Sequence, residues 1–394
     1  MKYLFFLFLT SLIKFISLFV KRRGFLCVDN LYEPHCSCID SFTVHKFLIQ
    51  KGIKSRYLLW EGNLSFNVVK KTKGVIVLGK EYPPHISDLY FLIKTFFQLI
   101  TCKYFICSFY GSLPNHYRNF IRNFPKIYLV GIGHGPVFLK ELVFDYKFCQ
   151  DKEWDLYLVS SNVEKQSFIS HGWDQKKLIV NCLPRFDALF PVKSSKNKIF
   201  VMFTWRLTFE HSKNSIYTSK YLKNLIILLS NLNSFANKHD CIISIALHHA
   251  MIDIVRFNFS ISNLDRVSFA NPTDLVSEIN SSNIIITDYS SIFWDFAYLN
   301  KPVIFYGIDF DDSFLLSVDQ KDRNNAIKKI NEINRVIYDV DKLLLEIKRN
   351  LDNNFELSES MRLDMDKFFF DRKLDNKNTE KFYRKLIEIT NKGY

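Results

Sequence analysis

A two-domain α/β protein is the fold class this sequence predicts, on three observations. Short apolar runs alternate with helical stretches along most of the chain, the pattern of strands joined by helical crossovers. Two of those runs, IYLVGI and NIII, end in small polar segments, Gly133-His134-Gly135-Pro136 and Thr287-Asp288-Tyr289-Ser290-Ser291. At 394 residues the chain also exceeds the size at which single cores stop growing, so two cores are expected. The two polar segments then read as strand-to-helix junctions in separate domains facing one central cleft. Small residues and helix-terminal N–H groups there suit a phosphate-rich ligand.

The first residues, MKYLFFLFLTSLIKFISLFVKRRG, make a largely apolar segment closed by Lys21, Arg22 and Arg23. Its length suits a spanning helix of about 20 residues, but Lys14 would sit inside it. Thr10, Ser11, Lys14, Ser17 and Lys21 recur at helical spacing and predict one polar stripe, so residues 1–23 are expected to lie in a membrane interface with the basic end on anionic headgroups. No small-residue cleavage site follows the apolar stretch, which argues against a signal peptide. A buried first helix of the N-terminal domain is the other reading.

Beyond it, FLCVDN, SRYLLW, GVIVLG, KYFICSF, IYLVGI, DLYLVSS and LIVNCLP read as strands of an N-terminal domain over 24–193. Ser161 or Asn162 can cap the helix NVEKQSFIS. A lysine-rich join at Lys193–Lys198 marks the expected boundary. The strands IFVMFTWR, CIISIALHH, RVSFA, NIIITD and PVIFYG, with helices between them, then form a second domain over 194–375, and 376–394 is a last helix packing back on the first. Near-continuous apolar strands imply parallel sheets covered on both faces.

Composition narrows the function classes. The formal charge of +13 calls for an anionic environment, which nucleic acid, anionic lipid or a polyphosphate substrate would satisfy. No Arg/Gly tract, zinc-finger spacing or recognition-helix pattern points to nucleic acid, so none is expected as a partner. The eight cysteines are scattered and lack the spacing of a redox or zinc pair, which implies reduced thiols and no metal.

Several residues carry candidate chemistry. His134 stands between two glycines at a strand exit, open to a ligand, and a histidine of near-neutral pKa can take a proton from an attacking hydroxyl. A structural histidine bonded to a loop carbonyl is the alternative. His248 and His249 leave CIISIAL together and point to opposite faces, so one is expected to meet a ligand phosphate. Asp288 ends its strand, and Ser290 and Ser291 begin a helix whose unpaired N–H groups and hydroxyls can receive diphosphate oxygens. Tyr289 or Asp288 would cap, orient or touch a nucleotide sugar, against the plain alternative of an ordinary Asp/Ser cap.

Six segments in order, HGPVFLKEL, DLYLVSSNVEKQSF, LPRFDALF, FTWR, IALHH and TDYSSIFWDFAYLNKPVIFY, resemble the CDP-glycerol glycerophosphotransferase family, which includes wall teichoic acid primases and polymerases. The resemblance implies a GT-B-like arrangement of two Rossmann-like domains. It implies His134 as the base for the acceptor hydroxyl, His248 near the donor phosphate, and Arg206, Asp288, Tyr289, Ser290 and Ser291 at donor-binding or site-shaping positions, with Lys140 and Arg185 alongside. A CDP-alditol such as CDP-glycerol would be the donor, with no further cofactor. The acceptor would be a lipid-linked or polymeric glycan at the cytoplasmic face of the membrane, among other envelope-biosynthesis enzymes, in teichoic acid or capsule assembly. Pro136, Val137-Phe138, Cys182-Leu183 and His249 depart from the family pattern, changes expected to leave the histidine and phosphate-site chemistry intact but to reshape the acceptor side, and the first 120 residues match it poorly. A GT-B glycosyltransferase using a nucleotide sugar and a non-catalytic glycan-binding scaffold are the rival readings.

Overall fold

The computed structural model describes residues 2–29, 40–59, 61, 66–78, 88–108, 121, 127–133, 136, 154–192, 196–204, 220–247, 264–270, 274–288, 290–308, 328 and 331–392. They divide into two compact units, one drawn from Met1–His134, Tyr146–Asp187 and Phe369–Tyr394, the other from Gly135–Asp145 and Ala188–Phe368.

The first unit begins with α1 (Lys2–Phe19) and β1 (Gly24–Val28), then α2 (Asp40–Gln50), β2 (Ser55–Leu59), α3 (Phe66–Val69), β3 (Val75–Val77), α4 (Asp88–Thr101) and β4 (Cys102–Cys107). It continues through β5 (Tyr128–Gly131), β6 (Leu156–Val159), α5 (Asn162–Ser170) and β7 (Leu178–Val180). The described strands form a parallel sheet in the order β3-β2-β1-β4-β5-β6-β7. Every residue of β1 and β6 is buried, which is why these strands are apolar throughout rather than alternating. The chain order reverses between β1 and β4, so the carboxyl ends of those strands flank a topological switch point.

Ser161 caps α5 by accepting the Glu164 N–H at 3.0 Å, and the Glu164 carboxylate returns to the Ser160 hydroxyl at 2.7 Å, a reciprocal capping arrangement. Behind it, Tyr157 packs edge-on against Trp154 and Trp173, with centroids 5.6 and 5.1 Å away.

The second unit contains β8 (Asn197–Met202), α6 (Lys220–His239), β9 (Cys241–Ala246), β10 (Val267–Phe269), α7 (Leu275–Ser281), β11 (Ile284–Thr287), α8 (Phe293–Tyr298), β12 (Val303–Phe305), α9 (Val340–Asp352) and α10 (Glu359–Asp366). Its described strands form a parallel sheet ordered β10-β9-β8-β11-β12, with the switch point between β8 and β11. Leu225, Leu228, Leu229 and Leu232 of α6 are buried in one core with Ile199, Ile243 and Ile286 of the sheet. Both units thus have the Rossmann-like form, sheet centre and crossover helices, that the apolar alternation predicts.

The chain crosses between units after Asp187, earlier than the lysine-rich join suggests. The reason is Asn280 at the end of α7: its side chain donates to Ala188 O at 3.1 Å and accepts from Phe190 N at 3.0 Å, and its carbonyl accepts from Val192 N at 3.1 Å. These bonds tie 188–192 to the second unit. The return falls after Phe368, and α11 (Asn378–Asn391) then lies in the first unit. Its first N–H groups, at Asn378 and Thr379, donate to the Asp187 carboxylate at 2.7 and 2.8 Å, and near its end Thr390 Oγ1 meets the Tyr104 hydroxyl at 2.6 Å.

The N-terminal helix departs from the expected polar stripe. α1 packs against α4, burying Ile13 completely and Thr10 almost so. Thr10 therefore faces protein instead of joining Ser11 and Lys14 on an outer polar face. Phe8, Phe15, Leu18 and Phe19 are exposed, as are Ile93 and Phe97 of α4. Among the described residues no helix is long and apolar enough to cross a membrane.

Candidate functional site

In the first unit the strand that leads to the candidate junction at His134 is β5. Gly131, its last residue, lies so close to Tyr157 of β6 that a Cβ would come within 2.3 Å of the ring. Gly133 follows with φ +66°, a left-handed conformation natural to glycine, directly before His134. The two glycines thus have separate causes, a neighbouring ring and a backbone turn. His134 and Lys140 themselves lie outside the described residues.

Two buried carboxylates at the same sheet edge went unseen in the sequence. Asp29, immediately after β1, accepts the Tyr57 hydroxyl at 2.9 Å and the N–H groups of Ser41 and Phe42 at 3.1 and 3.2 Å, so it caps α2 from a distance in sequence. Burial pushes its pKa up, opposed by those bonds. Asp40, the first residue of α2, accepts the N–H and a guanidinium nitrogen of Arg185, both at 3.2 Å. Burial pushes Asp40 up to about 6 despite the adjacent guanidinium. Arg185, expected beside a donor, is instead committed to this buried ion pair within the first unit, its side chain 8% exposed. Asp29 at a strand terminus is the signal that could have been read, since acidic residues there commonly cap a following helix.

In the second unit Asp288 sits at the switch point, fully buried. Its carboxylate accepts the Thr204 N–H with both oxygens at 3.0 Å, the Thr204 hydroxyl at 3.0 Å and the Ser290 N–H at 3.0 Å. Asp288 therefore binds the exit of β8 to the exit of β11. This corrects the expectation of a first helical turn offering its N–H groups at Ser290 and Ser291. The helix starts at Phe293, the Ser290 N–H is taken by Asp288, and the carbonyls of Ser290 and Ser291 accept from Phe293 and Trp294 at 3.2 Å each. What the turn can offer an anion is the pair of serine hydroxyls, neither of which has a partner among the described residues. Arg206, Tyr289, His248 and His249 lie outside the described residues, and so does Trp205. Among the described residues no cluster of three or more His, Cys, Asp or Glu side chains is assembled for a metal.

Lys301, after α8, donates to the carbonyls of Ile279 and Asn280 at 2.7 Å each, capping the end of α7. Burial and the neighbouring Lys198 lower its pKa to about 8.

Comparison with known proteins bears on both units. Along 95% or more of its length the chain is similar to the solved wall teichoic acid polymerase TagF, with a TM-score of 0.61 at 13% identity, covering 97% of this chain and 94% of that one. That likeness shows the GT-B-like fold. The minor teichoic acid biosynthesis protein GgaB of Bacillus subtilis (strain 168) is 25% identical over 368 residues, 88% of this chain and 38% of that protein. A teichoic acid poly(glycerol phosphate) polymerase of Bacillus spizizenii is 29% identical over 175 residues, 40% of this chain and 42% of that one. The chain thus spans less than half the length of these curated relatives. A family model described as CDP-Glycerol:Poly(glycerophosphate) glycerophosphotransferase matches residues 90–388, well over half of the chain and through both strand-exit segments. By that match the chain belongs to the CDP-glycerol glycerophosphotransferase family.

Proposed function

We propose that this protein transfers glycerol phosphate, or a related alditol phosphate, from a CDP-linked donor to a hydroxyl of a lipid-linked or polymeric glycan acceptor, releasing CMP. The observation that carries the reading is the family match over 90–388, which takes in the His134 junction, the Asp288–Thr204 clasp and the two serine hydroxyls.

The acceptor oxygen attacks the β-phosphorus, the bond from that phosphorus to the oxygen bridging to the α-phosphate breaks, and CMP leaves with that oxygen. His134 takes the acceptor proton. Removing it as the new bond forms avoids a positively charged oxygen in the product. His248 and Arg206 offset the charge that gathers on the diphosphate, and Ser290 and Ser291 donate their hydroxyls to its oxygens. Asp288 holds Thr204, which precedes Trp205 and Arg206 in sequence, beside the serine turn. Lys140 and Tyr289 flank acceptor and donor respectively. Arg185 serves this chemistry only through the stability of its own unit.

The acceptor is held at a membrane, and the protein attaches peripherally to the cytoplasmic face through α1, in the assembly of a teichoic acid or capsular polymer. The exposed Phe8, Phe15, Leu18 and Phe19, followed by Lys21 and Arg23, support this reading: aromatic side chains and cations at one end of a helix suit an interface of acyl chains and anionic headgroups.

The test is incubation with a panel of CDP-alditols and UDP-sugars, each with membrane-lipid acceptors, and identification of the released nucleotide by mass. CMP from a CDP-alditol is expected. UDP from a nucleotide sugar would replace this reading with a glycosyl transfer.

A further inference from the structure

A cavity of about 540 Å³ opens in the first unit, lined by Val20, Lys21, Arg22, Lys103, Ile127, Tyr128 and Asp155. Its position follows from the parallel sheet. Val20–Arg22 precede β1, Lys103 is the second residue of β4, Tyr128 begins β5 and Asp155 stands just before β6. All are at the amino-terminal edge of the sheet, whereas Asp29 and Gly133 stand at the opposite, carboxyl-terminal edge. The cavity is therefore separate from the edge at which His134 follows β5.

Its chemistry is cationic. Lys21 and Lys103 make no ion pair among the described residues, and the Lys103 ammonium lies over the Tyr104 and Tyr128 rings at 5.1 and 5.8 Å from their centroids. The Arg22 guanidinium donates to Leu99 O at 2.9 Å and Cys102 O at 2.8 Å, which fixes the exit of α1 to the end of α4. Asp155, the carboxylate on the wall, accepts the Leu129 N–H at 2.7 Å. Three cations to one engaged carboxylate make the cavity attractive to an anion.

The same chain segment connects it to the exposed apolar face. Leu18 and Phe19 immediately precede Val20–Arg22, Phe15 lies about a turn earlier, and Phe97 stands two residues before Leu99 and five before Cys102, whose carbonyls hold Arg22. A ligand filling the cavity with a phosphate would therefore have apolar rings beside its other end. We propose that this cavity binds the phosphate of an anionic phospholipid headgroup while the α1–α4 face enters the acyl region. The inference rests on the peripheral-membrane reading above and adds to it a headgroup site formed by Lys21 and Lys103.

The experiment is cosedimentation of the full-length protein with phosphatidylcholine vesicles, with and without phosphatidylglycerol. Lys21→Gln with Lys103→Gln should weaken binding to the phosphatidylglycerol vesicles by roughly tenfold or more, since each basic side chain near such a surface contributes about a fivefold factor. Lys51→Gln with Lys70→Gln, at the ends of α2 and α3, should leave binding as in the wild type and so controls for net charge. Phe15→Ser with Phe19→Ser should weaken binding to both kinds of vesicle. Thermal melting curves matching the wild type establish that the lysine variants fold. Undiminished binding by the Lys21/Lys103 variant, with loss in the Phe15/Phe19 variant, would overturn the headgroup site and leave membrane attachment standing. Absence of wild-type binding to either vesicle would overturn both. Undiminished vesicle binding with slower transfer to a lipid-linked acceptor would assign the cavity to the acceptor's own phosphate and likewise overturn the headgroup site.

Discussion

Asp288 and Thr204, which end neighbouring strands of the second unit, are joined by the Thr204 N–H reaching both carboxylate oxygens at 3.0 Å and the Thr204 hydroxyl reaching one at 3.0 Å. The pair stands at the switch point of an open α/β sheet, where ligands of such folds bind. The carboxylate also accepts the Ser290 N–H, so one buried side chain ties two segments together.

Asp288→Ala removes the carboxylate that accepts the part-buried Thr204 N–H and the buried Ser290 N–H, and is expected to cost about 3 kcal/mol in denaturant unfolding. Thr204→Val removes a single hydroxyl donor and should cost about 1.5 kcal/mol. The double variant should lose less than the sum, because both changes break the same clasp. Strictly additive losses would show that the two residues act separately. With a CDP-alditol, Thr204→Val should raise KM more than it lowers kcat.

The buried Asp40–Arg185 pair makes a prediction about stability and pH. Arg185→Met leaves a buried carboxylate without its cation and should destabilise the protein by about 3–5 kcal/mol at neutral pH, most of which Asp40→Asn should restore. In the wild type, Asp40 with its pKa pushed up to about 6 keeps a proton that the unfolded chain has released. Its contribution is full below the ordinary carboxylate value near 4 and declines as pH rises through about 6. The difference in unfolding free energy between wild type and Asp40→Asn, followed from pH 4 to 7, should fall across that window; a flat difference would contradict it.

His45 gives the opposite slope. Burial lowers its pKa to about 4, and the ring lies between the Ser55 hydroxyl at 2.8 Å and the Lys73 carbonyl at 3.0 Å. The unfolded chain takes up a proton near pH 6.5 that the folded chain refuses, so this contribution is present above about 6.5 and is lost as pH falls through about 4. His45→Asn should remove that acid sensitivity, as read from urea unfolding midpoints over the same range.

Much of the fold was legible because it depends on local pattern. Apolar runs such as GFLCV and LYLV became buried parallel strands, and Ser161 became the cap of α5. What escaped depends on contacts far apart in sequence. Asp40 and Arg185 stand 145 residues apart, and no periodicity connects them. The early unit boundary rests on Asn280 binding 188–192, and the inward turn of Thr10 rests on α4 supplying the opposing surface. Asp288 was recognisable as a capping or orienting residue from its place at a strand end. Its role in holding Thr204 was not, because that partner belongs to another strand.

The glycines before His134 offer a test of how that strand exit is built. Gly131→Ala would place a methyl group against the Tyr157 ring and should cost about 1–3 kcal/mol, relieved in part by Tyr157→Leu. Gly133→Ala must hold a left-handed backbone and should cost about 1–2 kcal/mol. Chemical denaturation reads both; a Gly131→Ala protein as stable as wild type would contradict the close approach of the ring.

The most direct test of the account is the fate of the β-phosphorus. CDP-glycerol carrying ³²P at that position is incubated with the protein and a glycan-lipid acceptor. Label in the acceptor product and unlabelled CMP in solution are predicted, with His134→Ala slowing the transfer by about 10²- to 10⁴-fold. Label released in CDP, with glycerol alone joined to the acceptor, would contradict attack at phosphorus and with it the proposed function.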